Sequence, residues 1–139
     1  MSGGEFELIQ QHLSALGANR ADVGLGVGDD AALVDPTPSA DLRCACMCIA
    51  LCAQSAQGIG PVVESALQQL STVLRDAGFI PAWATLALTL AHADERLVHL
   101  VADAVHRACL THNIAVIGGD TTSGEASLTI FLTGQAWIR

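Results

Sequence analysis

Two stretches of helical period constrain the fold more than any other feature of this chain. Val63, Ala66, Leu67, Leu70, Val73, Leu74 and Ala77 recur at three- and four-residue steps, as do Leu97, Leu100, Val101, Ala104, Val105 and Ala108. Each series marks a helix with one apolar face. Between them Trp83 to Leu90 is rich in Leu and Thr without that period, and reads as a strand. Two one-sided helices around a strand have to be layered on a sheet. Punctuation agrees: Pro61 suits a first helical turn, Gly78 stops the first helix, and Asp94 can cap the second, which runs to about His112.

The rest of the chain supplies further elements. Phe6, Ile9, Leu13 and Leu16 predict a short helix over 5–16, closed by Gly17. Residues 23–27 and 31–34 are apolar and read as a strand interrupted or bulged by Gly28-Asp29-Asp30. Pro36 and Pro38 mark a loop. Leu42 to Cys52 reads as a strand, Gln54 to Gly60 as a small-residue loop, and Ala115 to Ile117 as a short strand entering a second acidic turn. Ala126 to Ile138 alternates over Leu128, Ile130 and Leu132, as a final strand does. The expected class is α+β: a four-stranded mixed or antiparallel sheet with helices on one face, the other face covered by a second subunit. No repeat or linker divides the chain, so residues 1–139 are read as a single domain.

Composition narrows the function classes. Apolar residues make up 51% of the chain and charged residues 14%, which excludes disorder and favours a covered apolar face. The net charge of −8 argues against nucleic acid and anionic membrane as partners, because phosphate recognition needs a basic patch. Met1 to Glu7 lacks the pattern of a signal peptide, and no apolar run approaches the ~20 residues of a membrane helix. Five cysteines, an odd number, fit free thiols in a reducing cytoplasm.

The chemistry lies in two acidic segments, Gly28-Asp29-Asp30 and Gly118-Gly119-Asp120-Thr121-Thr122. Each sets bare carboxylates beside glycines at the edge of an apolar run, as a site for phosphate-bound Mg²⁺ requires. The chain has no lysine, so a Walker-type loop is excluded. Asp29, Asp30 and Asp120 are the candidate metal ligands; Gly119, Asp120 and Thr121 are the candidate phosphate contacts. The bland alternative for both segments is a solvated glycine turn. Cys44, Cys46, Cys48 and Cys52 have no C-x-x-C spacing, and strand spacing keeps them from converging on one zinc; they read as small buried hydrophobes. His99, His106 and His112 lack the i, i+4 spacing of a shared metal and read as the solvated side of a helix.

These blocks also carry a family resemblance. Gly4-Glu5-Phe6-Glu7-Leu8-Ile9, Val27-Gly28-Asp29-Asp30-Ala31-Ala32-Leu33, Pro81 to Leu90, and Ile117-Gly118-Gly119-Asp120-Thr121-Thr122-Ser123-Gly124 together resemble the N-terminal half of thiamine-monophosphate kinase. That family belongs with aminoimidazole-ribonucleotide synthetase and selenophosphate synthetase. The resemblance implies a four-stranded sheet with outer helices, two copies pairing sheet to sheet into a barrel-like homodimer. It also implies ATP and Mg²⁺ as ligands, and transfer of the γ-phosphoryl group to thiamine monophosphate. By position, Asp30 and Asp120 look like metal ligands, with Gly119 near the phosphates. Departures are clear. Cys46-Met47-Cys48 stands where the family has Thr-Asp-Thr. Thr72-Val73-Leu74, or Ser71-Thr72-Val73 under a one-residue shift, stands where it has Ser-Asp-Leu. Ser123 replaces a usual Arg, and the family continues beyond position 139 into a second domain. Two expectations follow: a domain with partial Mg²⁺–nucleotide binding that works with a separate C-terminal chain, or a non-catalytic relative that dimerises or binds a partner.

Overall fold

The computed structural model describes residues 20–25, 33, 34, 36, 41–51 and 58–136. The expected helix over 5–16 lies outside them, as do Gly28, Asp29, Asp30 and Cys52. The described elements run β1 (Val23–Leu25), β2 (Leu33–Val34), β3 (Leu42–Ala50), α1 (Ile59–Asp76), β4 (Phe79–Leu90), α2 (Glu95–His112), β5 (Ala115–Ser123) and β6 (Ser127–Ala136). Strands β3 to β6 form one mixed sheet in the order β3-β6-β4-β5. The β3–β6 and β6–β4 pairs are antiparallel, and β4–β5 is parallel. The α+β class and the mixed four-stranded sheet are as expected.

Both helices cover one face of the sheet. Leu128, Ile130 and Leu132 of β6 are fully buried there with Leu86, Leu88 and Leu90 of β4, Val63, Leu67 and Leu70 of α1, and Val101 and Val105 of α2. Period-2 alternation on β6 puts its leucines inward and leaves Thr129, Phe131 and Thr133 on the opposite, open face. Two helix assignments need correction. Val73 was placed on the apolar stripe of α1 but is 59% exposed; the buried stripe is Val63, Ala66, Leu67, Leu70, Ser71 and Leu74. On α2 the fully buried face includes Val98 and Ala102, while Leu97 and Leu100 sit at its margin. Helix ends match the signals: the Asp94 side chain accepts from Leu97 N–H at 3.1 Å, and Asn113 closes α2 in the left-handed region at φ 55°, ψ 51°.

Val23–Leu25 and Leu33–Val34, the described parts of the expected interrupted strand, do not continue one another. β1 and β2 pair with each other antiparallel, as a ribbon separate from the main sheet. Its Val23 and Val34 pack on Ala82, Trp83 and Ala115. The Asp22 carboxylate accepts from Trp83 Nε1–H at 3.0 Å and makes a two-pronged pair with Arg20 at 2.9 and 2.8 Å. Arg20 in turn donates to the Asn113 carbonyl at 2.9 Å. One arginine thus ties the ribbon to the turn that enters β5. β4 starts at Phe79, earlier than the expected Trp83, and passes through Pro81. Proline is tolerated because it sits at a register shift between Pro81 and Trp83, ahead of the point where β5 begins to pair.

Candidate functional site: the acidic end of β5

Gly118 to Thr122 is not a turn. β5 continues from Ala115 to Ser123, parallel to β4 throughout. The apolar pattern ends at Ile117 because the second half of this edge strand is solvated, whereas the hydrogen-bonded ladder carries on to Leu90 and Ser123. The register shifts by one residue between Ala84 and Thr85, leaving Ile117 as the extra residue of a bulge. Gly119 follows the bulge, where an added Cβ would lie 1.8 Å from the Leu86 carbonyl oxygen. Its missing side chain therefore answers a close strand–strand approach.

The register sorts the motif between the two faces. Gly118, Asp120 and Thr122 pair with Thr85, Ala87 and Thr89, and the Thr89 and Thr122 hydroxyls lie 2.9 Å apart. Asp120 is exposed on this open face, its Oδ1 accepting from Thr121 N–H at 2.9 Å. Thr121 pairs with Leu88 and belongs to the opposite face. Of the three residues read as phosphate contacts, Asp120 is thus brought to one surface with Thr89 and Thr122, while Thr121 turns away. Thr89 was missed by sequence reasoning, since only the β4–β5 register brings it 33 residues back to Thr122.

Asp29 and Asp30 lie outside the described residues, so their approach to Asp120 is not placed. Met47 and Val73, where the resemblance leads one to expect carboxylates, are both among the described residues. Met47 alternates onto the helix-covered face of β3 and packs partly buried against the core, and Val73 is on the solvated side of α1. β3 and β5 are opposite edges of the sheet, some ~14 Å apart across two strands. Among the described residues no group of three or more His, Cys, Asp or Glu side chains is arranged to hold a metal. A carboxylate such as that of Asp120 is a hard oxygen donor of the kind Mg²⁺ takes, with waters and phosphate oxygens filling the rest of its shell.

The other candidates sort clearly. Cys44, Cys46 and Cys48 are exposed on the open face, which corrects their reading as buried hydrophobes. Cys109 is partly buried, and burial pushes its thiol up to about 11. His99 and His106 are exposed as expected, while His112 is partly buried, which holds its imidazole below the usual range. A cavity of about 310 Å³ opens beside the end of β4, lined by Leu51, Ile59, Leu90, Leu97 and Leu100 with His92 and Arg96. Its aliphatic walls do not suit a triphosphate.

Comparison with known proteins decides the family. Residues 28–137 match the model of the AIR synthase related protein, N-terminal domain. The chain belongs to that family. The thiamine-monophosphate kinase of Escherichia coli (strain K12) is 34% identical over 137 residues, covering 96% of this chain and 42% of the kinase. A crystal structure of thiamine-monophosphate kinase from Stenotrophomonas maltophilia K279a matches with a TM-score of 0.74 and 33% identity, over 85% of this chain and 38% of that one. AaThiL complexed with AMPPCP and TMP shares the fold at a TM-score of 0.63 and 21% identity, over 71% of this chain and 33% of that one. This member of the family therefore spans 42% of the length of its Escherichia coli relative. No helix among the described residues is long and apolar enough to cross a membrane.

Proposed function

We propose that this chain is the nucleotide-binding part of an ATP-dependent phosphotransferase of the thiamine-monophosphate kinase type, and that alone it binds Mg²⁺–ATP without completing phosphoryl transfer. The observation that supports this best is the exposed Asp120 carboxylate sharing one face with the paired Thr89 and Thr122 hydroxyls. Asp120, with Asp29 and Asp30, would hold the divalent cation. Mg²⁺ supplies charge neutralisation there, since unit charges at 4 Å repel by ~4 kcal/mol even at an effective dielectric near 20. The threonine hydroxyls are donors for phosphate oxygens, and the backbone beside Gly119 is bare. Reduced competence follows from Met47 and Val73: a thioether and an alkyl group cannot ligate Mg²⁺. The complete reaction of the type moves the γ-phosphoryl of ATP to thiamine monophosphate, mostly by positioning and charge neutralisation.

Calorimetric titration with ATP, with and without Mg²⁺, tests this reading. Mg²⁺-dependent binding with a dissociation constant on the order of 1 mM or tighter is expected, weakened at least about tenfold in Asp120→Asn. Well-folded protein that gives no heat at millimolar Mg²⁺–ATP removes the proposal.

A second reading, a non-catalytic dimerising relative, draws on the open face. Leu42, Ile80 and Phe131 are 46%, 37% and 39% exposed there, a surface suited to a second copy. Light scattering separates the two ideas. A dimer that Phe131→Glu dissociates, in protein that binds no nucleotide, favours this reading.

A further inference from the structure

We propose that the cavity at the end of β4 binds a small monoanion with an apolar body, of the class of medium-chain monocarboxylates, its chain on leucines and its carboxylate on Arg96. The cavity measures about 310 Å³ and sits where the ends of β3 and β4 meet the first turns of α1 and α2. Leu51, Ile59 and Leu90 line it and are 4%, 4% and 1% exposed, so its floor is continuous with the core. Leu97 and Leu100 belong to the apolar series of α2, yet both stand only partly buried at the margin of that core. They wall a space rather than fill the interior. These walls come from the helix-covered side of the sheet, so a second copy on the open face leaves them untouched.

Charge and size select the ligand. His92, Asp94 and Arg96 stand on the same cavity. The Asp94 carboxylate is engaged as the cap of α2, accepting from Leu97 N–H at 3.1 Å. Arg96 is exposed and, among the described residues, forms no ion pair, unlike Arg20 and Arg107. A guanidinium presents a planar fork that meets a carboxylate in two parallel hydrogen bonds, and the His92 imidazole offers a further N–H. One unpaired guanidinium near the Asp94 carboxylate favours a single negative charge over the two of a phosphate monoester. A neutral head group gains no ion pair from Arg96, and an amine finds Asp94 already committed to its helix. Liquid water takes ~30 Å³ per molecule, so the space holds roughly ten non-hydrogen atoms, the size of octanoate. Burial of the chain supplies the affinity, and Arg96 supplies the choice of head group.

The test is calorimetric titration of the full chain with octanoate, octanol and octylamine. Saturable binding of about one octanoate per chain, with a dissociation constant on the order of 1 mM or tighter, is expected. Butanoate should bind at least about tenfold more weakly, and dodecanoate about as tightly as octanoate, because the apolar walls end. Arg96→Gln should weaken octanoate about tenfold and leave octanol unchanged. Leu100→Trp should fill the space and abolish binding. Ala91→Trp, at the exposed rim, carries the same expectation if the first variant fails to fold. No saturable octanoate binding at millimolar concentration overturns the proposal, as does octylamine or octanol binding as tightly as octanoate. So does affinity that climbs steadily up to dodecanoate, or octanoate binding that survives both tryptophans.

Discussion

A methyl group has no room at position 119, where it would meet the Leu86 carbonyl oxygen at 1.8 Å. Gly119→Ala is therefore expected to destabilise the fold by about 3 kcal/mol, seen as a lower thermal midpoint. The sequence made these glycines conspicuous but hid their reason, because Leu86 is remote along the chain. Asp22 carries a different signature. Its hydrogen bond to Arg20, then their mutual charge and the Trp83 N–H, outweigh burial and hold its carboxyl below the usual range. A depressed carboxyl stabilises the folded state above its unfolded value and loses that contribution as pH falls through the folded value. Asp22→Asn should cost about 1–2 kcal/mol at pH 7, with the difference from wild type shrinking below pH ~4. Denaturant titrations at both pH values check the trend. The buried Ser71 hydroxyl has no partner among the described residues. Ser71→Ala should raise stability by about 1 kcal/mol.

Elements with a one-sided apolar pattern were legible, and those whose identity depends on a neighbour were not. Both long helices were placed by stripe and cap, although Val73 was assigned to the wrong face. One valine at a helical interval fits a stripe on paper, while the α1–sheet contact uses Leu70, Ser71 and Leu74. β5 was cut short because its second half is polar and solvated. Pairing to β4 keeps it a strand, and that lies in the topology. The ribbon β1–β2 was read as one strand for the same reason. Carboxylates introduced at Met47 and Val73 should distinguish the two positions. Val73→Asp is expected to change stability by less than about 0.5 kcal/mol. Met47→Asp, pressed against the core, should cost about 1–3 kcal/mol without a bound cation. Chemical denaturation of the two variants side by side reads the contrast.

On the scale of the whole molecule, the helices cover one sheet face and the candidate chemistry lies on the other. Asp120, Thr89 and Thr122 stand at one edge of that open face, and the cysteine row stands at the opposite edge. The alternation of β6 foretold which of its side chains face outward. The pairing order that puts β5 and β3 at opposite margins could not be read from local patterns. The two rows are thereby separated by two strands, so Cys46→Ser should leave nucleotide binding unchanged. The sharpest check on where the nucleotide sits is paramagnetic broadening of backbone amide resonances by Mn²⁺–ATP. Broadening centred on Gly118 to Thr122 and Thr89, abolished in Asp120→Asn, is the expected result. Spectra of folded protein in which those amides stay sharp, with broadening elsewhere or nowhere, would contradict a nucleotide site at the acidic end of β5.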